Sequence, residues 1–151
     1  MNVRVVFFVS FLLAACSSEI STNNRALDLS AHTGQWVLIN YWAPWCKPCI
    51  EEIPELNAVH NEHDTITVYG VNFDGAVGET LRQQEQTLGV AFPTLTQDPS
   101  TALGLARPAA LPTTLVIGPD GKLAATLLGP QTEQSLLGAA GQSPQNDEST
   151  D

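Results

Sequence analysis

The pattern of apolar and polar residues in the first half of the chain predicts two strands with a helix between them. A nearly unbroken apolar run at 35–42 is typical of a strand buried on both faces of a sheet. The alternating, β-branched segment 65–72 predicts a second strand. Residues 47–62 predict a helix, and positions spaced three and four apart give it one shared face, which consists of Ile50, Ile53, Leu56, Asn57 and His60.

The second half of the chain predicts a helix, a hairpin and a final helix. Residues 79–88 are rich in Glu, Gln and Leu, as expected of a helix. A tight turn at 119–121 joins two strands, at 113–117 and 122–128, and a helix follows at 132–140. This order describes an α/β fold in which a parallel half precedes an antiparallel half, so that helices flank a mixed central sheet.

The first 15 residues have the layout of a secretory signal peptide. Arg4 supplies a positive charge, and the apolar run that follows is shorter than the roughly 20 residues of a transmembrane helix. The run ends at Leu13-Ala14-Ala15-Cys16, which resembles the lipobox of bacterial lipoproteins, in which the cysteine becomes the lipidated N-terminus. An ordinary signal peptide with an incidental cysteine is the alternative.

These signals divide the chain into four parts. We expect a lipoprotein signal peptide at 1–15, a lipidated tether at 16–26, one domain at 27–140 and an acidic, disordered tail at 141–151. The predicted location is the periplasmic side of a bacterial membrane. By resemblance to enterobacterial sorting, Ser17 after the lipidated cysteine favours the outer membrane over the inner one.

Charge narrows the range of partners. The formal net charge of −10 repels phosphate backbones, which argues against nucleic-acid binding. It also repels anionic lipid, so membrane contact has to come from the lipid anchor rather than from a basic patch.

Two of the three cysteines form a C-x-x-C motif, Cys46 and Cys49, where the first strand meets the first helix. At that spacing they lie on one helical face, close enough for a disulfide. The unpaired N–H groups and the dipole at the helix start stabilise a thiolate at Cys46, which makes it the nucleophile. Cys49, one turn deeper, suits the resolving role. Lys47 adds a positive charge beside the thiolate, and Pro48 is tolerated near a helix start.

The segment Trp42-Ala43-Pro44-Trp45-Cys46-Lys47-Pro48-Cys49, together with Pro54 and the later Leu111-Pro112-Thr113-Thr114, resembles the thioredoxin superfamily. Within it, the sequence is similar to membrane-tethered TlpA/ResA-like thiol-disulfide oxidoreductases over about 27–140. The resemblance implies a thioredoxin-like three-layer fold.

The resemblance also implies how the site is arranged. It places Trp45, Lys47 and Pro48 in the active-site segment, with a cis Pro112 against the disulfide and the Leu111 backbone free to pair with an extended substrate. Asn40 occupies the place of a buried aspartate in cytoplasmic thioredoxins, so another acid or water has to handle the proton of Cys49. Asp74 is the nearest candidate acid in the loop after the second strand.

We therefore expect a monomeric enzyme that reduces protein disulfides, for example in cytochrome c maturation, with electrons from a membrane thiol donor. The redox-active disulfide Cys46–Cys49 would be its only cofactor, without a metal. A thiol oxidant or isomerase of the same fold is the alternative direction.

A zinc module and a structural disulfide are the competing interpretations of the cysteines. Cys46-x-x-Cys49 followed by His60-x-x-His63 superficially matches zinc-ligand spacing. However, the eleven residues from Cys49 to His60 span ~16 Å on one helix, so only a break at Pro54 would bring the four groups together. A structural disulfide of this spacing closes too small a loop to stabilise the fold much.

Overall fold

The computed structural model describes residues 25–142. The predicted signal peptide, the lipid-attachment residue Cys16, most of the tether and residues 143–151 of the predicted tail lie outside this range. After a short 3-10 helix at Leu29–His32, the elements are β1 (Trp36–Trp42), α1 (Lys47–Glu62), β2 (Ile66–Asn72), α2 (Gly78–Leu88), β3 (Thr94–Leu95), β4 (Thr113–Ile117), β5 (Leu123–Leu128) and α3 (Glu133–Ala139).

The five strands form one mixed sheet in the order β3-β2-β1-β4-β5. Strands β1, β2 and β3 are parallel, whereas β4 and β5 run antiparallel beside β1. The predicted α/β, thioredoxin-like fold is thus confirmed. Every residue of β1 except Trp36 is buried, which explains its nearly unbroken apolar run, because this strand is covered on both faces.

Buried side chains form three clusters, and one of them lies at the end of β1 that carries the C-x-x-C motif. On one face of the sheet, α1 and α3 pack through Leu56 and Leu136 against Leu38. The opposite face is covered by loops and by the 3-10 helix region rather than by a long helix. The third cluster lies at the end of β1 and contains Trp42, Ala43, Cys46, Cys49 and Leu81.

Helix α1 is continuous through Pro54, but its buried face differs from the predicted one. Ile53 and Leu56 are buried as expected, whereas Ile50, Asn57 and His60 are only half-buried. The helix is rotated so that the buried set is Cys49, Glu52, Ile53, Leu56 and Val59. A glutamate therefore faces the interior.

The two edge strands of the sheet, β3 and β5, differ in their hydrogen bonding to neighbouring segments. At β3, the backbone carbonyl of Arg25 accepts the N–H of Thr96 at 2.9 Å, and the Arg25 guanidinium bonds the Thr94 carbonyl. Arg25 is thus hydrogen-bonded to the edge strand β3 and the residue that follows it. At the other edge, β5 pairs only with β4 among the described residues, and Leu128 is 68% exposed. No helix within 25–142 has the length and apolar character needed to cross a bilayer.

Candidate active site

Cys46 and Cys49 are joined by a disulfide at the junction between β1 and α1. Cys46 is the N-cap of α1, and its Sγ atom accepts the backbone N–H of Cys49 at 3.3 Å. Cys46 is 5% exposed and Cys49 is fully buried. Cys49 is therefore the deeper of the two residues, as predicted, and Cys46 lies where unpaired helix N–H groups favour negative charge.

The local sequence explains why a helix starts here. The N–H of Cys46 donates to the Ala43 carbonyl at 3.1 Å, which turns the chain out of the buried strand. Pro48 is the second residue of α1, a position where the helix needs no backbone donor. Lys47 is almost fully solvated, with its Nζ atom 3.7 Å from a carboxylate oxygen of Glu51. Its support for the thiolate stays a prediction.

Trp45 forms an exposed wall beside Cys46. Its side chain is 64% exposed, and its indole N–H donates to Oδ2 of Asp74 at 2.8 Å. Its ring also meets the ring of Phe73 edge-on, with centroids 6.4 Å apart. The loop after β2 thus lies against the C-x-x-C segment, and Asp74 contacts Trp45.

The segment before β4 supplies a second wall of the site. The Leu111–Pro112 peptide bond is cis, as the resemblance implied. Pro112 is buried, and the Leu111 side chain packs against the cluster that contains both cysteines. The structure therefore brings the two separate sequence motifs together around the disulfide.

Glu52 is a buried acid near the site that sequence reasoning missed. Its carboxylate accepts Nδ2 of Asn40 at 2.5 Å and the backbone N–H of Gln131 at 2.9 Å. Asn40 also donates to Thr114 Oγ1, while its own Oδ1 atom is buried without a partner. Glu52 follows Cys49 by three residues on α1, so the two side chains are neighbours on one helical face.

Burial raises the pKa of Glu52 from 4.5 to about 7, although its hydrogen bonds with Gln131 and Asn40 act in the opposite direction. Desolvation dominates because the residue is only 1% exposed. A carboxyl group with such a pKa takes up and releases protons near neutral pH. Glu52, one helical turn from Cys49 on the buried face of α1, is therefore a candidate to exchange a proton with Cys49, whereas Asp74 bonds the Trp45 indole.

The residues proposed for the zinc alternative do not converge. The unbroken helix at Pro54 keeps Cys49 far from His60, and His63 is bonded to Glu133 at 3.0 Å. Within residues 25–142, no three His, Cys, Asp or Glu side chains are grouped so that they could hold a metal ion.

Comparison with known proteins identifies a family and several relatives of this chain. The sequence profile of the AhpC/TSA family matches residues 11–126. Thiol-disulfide oxidoreductase ResA of Bacillus subtilis is 30% identical over 120 residues, which cover 76% of this chain and 65% of the relative. The chain thus spans slightly less than two thirds of the length of that relative.

Solved structures show the same fold. A secreted thiol-disulfide isomerase from Corynebacterium glutamicum matches with a TM-score of 0.64 and 30% identity, covering 76% of this chain and 73% of that one. A DsbF homologue from Corynebacterium diphtheriae matches with a TM-score of 0.64 and 26% identity, covering 75% of this chain and 74% of that one.

Proposed function

We propose that this chain, which belongs to the AhpC/TSA family, is an enzyme that reduces protein disulfides through Cys46 and Cys49. The observation that carries the proposal is the position of the disulfide, with Cys46 capping α1 and Cys49 buried one turn further on. A helix start lowers the cost of a thiolate, and the thiolate is the attacking species in disulfide exchange.

The reaction runs in two displacements. In the reduced protein, the Cys46 thiolate attacks one sulfur of a client disulfide, forming a mixed disulfide and releasing one client thiolate. The Cys49 thiol then loses its proton and attacks Sγ of Cys46, which releases the second client thiolate. Two electrons pass from the cysteine pair to the client, and the Cys46–Cys49 disulfide remains.

Glu52 accepts the proton of Cys49 in this scheme. With its pKa near 7, a fraction of the carboxyl groups is ionised at neutral pH and available as a base. Asn40 holds the carboxylate by a hydrogen bond, which gives this residue a positioning role in place of an acid. No cofactor beyond the two thiols takes part.

The client binds between the two walls of the site. We place an extended client segment against the exposed ring of Trp45 and along the backbone of Leu111, next to Pro112, by strand addition. The net charge of −10 favours a basic or neutral client.

Cys16 and the tether would hold the domain on the periplasmic side of a membrane. A second membrane thiol protein would return electrons to the cysteine pair, because the periplasm is kept oxidising and a reductant there needs its own supply. Apocytochrome c is the client class that the ResA-like sequence favours, and the outer membrane is favoured over the inner one by Ser17.

A thiol oxidant or isomerase of the same fold is the second candidate, and a structural relative from Corynebacterium glutamicum is named a thiol-disulfide isomerase. An oxidant would use the same two displacements in reverse, starting from the Cys46–Cys49 disulfide.

The reduction potential of the pair separates the two directions. We would measure it by equilibrating the full-length chain, carrying Cys16→Ser so that one pair titrates, against glutathione and dithiothreitol. A reduction potential close to that of thioredoxin, about −270 mV, supports a reductant. A potential close to about −120 mV supports an oxidant. Cys46→Ser should be inactive and Cys49→Ser should accumulate a mixed disulfide with insulin. If Cys46→Ser reduces insulin as fast as the parent, the proposal is wrong.

A further inference from the structure

Arg107 contacts the loop that holds Trp45, although it lies far from the cysteines in the sequence. The central carbon of its guanidinium is 4.1 Å from the centroid of the Phe73 ring. One of its terminal N–H groups donates to the Phe73 carbonyl oxygen. The Arg107 side chain therefore contacts both the ring and the backbone of Phe73, the residue that follows β2.

Phe73 and its neighbour Asp74 make the two contacts already described with Trp45, one through the ring and one through a hydrogen bond. Direct contacts thus run from Arg107 through the 73–74 loop to the exposed tryptophan beside Cys46.

Arg107 is itself fixed to the centre of the sheet. Its Nε atom donates to Oδ2 of Asp98 at 2.7 Å. The other oxygen of Asp98 accepts the hydroxyl of Tyr41 at 2.8 Å and the backbone N–H of Ser100 at 2.9 Å. Because Tyr41 is fully buried and belongs to β1, Asp98 links the guanidinium to the central strand of the sheet.

Arg107 is also close in the sequence to the second wall of the site. Pro112, which follows the cis peptide bond from Leu111, is five residues after Arg107. The guanidinium therefore ties the first wall, Trp45 with its supporting loop, to the segment that enters the second wall.

We propose that Arg107 is a positioning residue, which holds the Phe73–Asp74 loop and through it orients Trp45 toward a protein client. It takes no part in the thiol chemistry. The choice of a protein client rests on the proposed function, whereas the positioning of Trp45 by Arg107 rests only on the contacts described above. Arginine suits this place better than lysine, because a planar guanidinium can lie flat on a ring and donate hydrogen bonds from its edge in fixed directions at the same time.

The test compares a protein disulfide with a small one. Arg107→Ala in the full-length chain should slow the reduction of insulin about threefold to tenfold, the range expected from a lost stacking and hydrogen-bond contact. The rate with oxidised glutathione and the reduction potential should be unchanged. Arg107→Lys should recover part of the insulin rate. Arg82→Ala is the matched control, since it removes a half-exposed, ion-paired arginine from α2 and should change neither rate.

Two further readouts show whether Arg107 acts through Trp45. In a Trp45→Ala background, Arg107→Ala should slow insulin reduction no further. In the otherwise unaltered chain, it should shift the indole N–H resonance of Trp45, and this measurement needs no activity. An unshifted resonance, an equal loss on both substrates, or an additive loss in the Trp45→Ala background overturns the inference. A parent chain that reduces neither substrate overturns the proposed function, whereas the Trp45 resonance still decides the positioning role.

Discussion

The indole nitrogen of Trp45 and Oδ2 of Asp74 are 2.8 Å apart, although the two residues are 29 positions apart in the sequence. This hydrogen bond joins the C-x-x-C segment to the loop after β2. It gives a polar anchor to a large aromatic side chain that is otherwise mostly in solvent.

Removal of that anchor should weaken client reduction. Asp74→Ala leaves the Trp45 N–H without its acceptor, and we expect the rate of insulin reduction to fall about threefold to tenfold. Asp74→Asn retains a carbonyl oxygen for the same bond and should keep most of the rate. Stopped-flow measurement with the reduced protein compares the two. If both variants are equally slow, the negative charge of Asp74 matters rather than the hydrogen bond.

The buried Glu52 should make stability fall as pH rises. Its pKa is about 7 in the folded chain against an ordinary 4.5. Between these values the folded chain binds more protons than the unfolded chain, so the free energy of unfolding decreases with pH in this window and levels off above it. The total loss is about 3 kcal/mol.

Urea denaturation at several pH values across that window measures the slope. Glu52→Gln should abolish this part of the pH dependence, because an amide does not titrate. The unpartnered Oδ1 atom of Asn40 can accept from the new amide after a flip of its own side chain. Glu51→Gln, one residue away and 59% exposed, should leave the slope unchanged. A parental slope in Glu52→Gln would show that another group titrates.

Glu52→Gln should also slow the second displacement. Without a base for the Cys49 proton, the mixed disulfide between Cys46 and the client should decay about 100-fold more slowly near neutral pH, the range of general base catalysis. Acid quenching followed by mass spectrometry measures its lifetime. An unchanged lifetime would mean that water removes the proton.

Gly70 should tolerate no side chain. A Cβ atom there would lie 2.7 Å from Nε1 of Trp42 and 3.0 Å from Oγ1 of Thr94, both inside the sheet. We expect Gly70→Ala to lower the free energy of unfolding by about 1–3 kcal/mol, as overpacking does. Gly138→Ala is the control, because nothing lies within 4 Å of that Cβ and alanine in α3 should stabilise by about 0.4–1 kcal/mol. Equal stabilities of the two variants would contradict this packing.

Asn57 links α1 to the end of α2. Its Nδ2 atom donates to the Gly89 carbonyl and its Oδ1 atom accepts the N–H of Ala91, both at 2.8 Å. Asn57→Ala should cost about 1–2 kcal/mol, since both bonds are lost. Asn57→Asp keeps the acceptor for Ala91 but turns a carboxylate oxygen toward the Gly89 carbonyl oxygen, so it should lose at least as much. Thermal unfolding compares the two variants, and a fully stable Asn57→Ala would show that water replaces the side chain.

Local patterns predicted most of the sheet, because each of β1, β2, β4 and β5 is long enough to show an unbroken or alternating apolar pattern. The strand β3 escaped prediction for the opposite reason. It has two residues, Thr94 and Leu95, and it exists only because it pairs with Gly70 and Val71 of β2. Two residues carry no periodicity, and a partner more than twenty positions away leaves no local signal.

The acid near Cys49 shows a different limit. Glu51 and Glu52 look alike in the sequence, yet one is solvated and the other buried. The spacing of Cys49, Glu52 and Leu56 does fit one helical face and could have indicated the burial. The partners could not be predicted, since Asn40 and the Gln131 backbone reach the carboxylate only through the packing of β1 and the segment before α3.

The contacts of Arg25 have a practical consequence for how the domain is cut and handled. A fragment beginning at Leu27 would lose the main-chain bond to Thr96 and the guanidinium bond to Thr94. Strand β3 would then be as bare as β5, which has neither a charge nor a proline along its six residues. Within residues 25–142, both edges of the sheet would then lack a pairing segment, and such edges can be extended by another chain. Fragments that retain Arg25 should therefore stay dispersed at concentrations where shorter ones form fibrils.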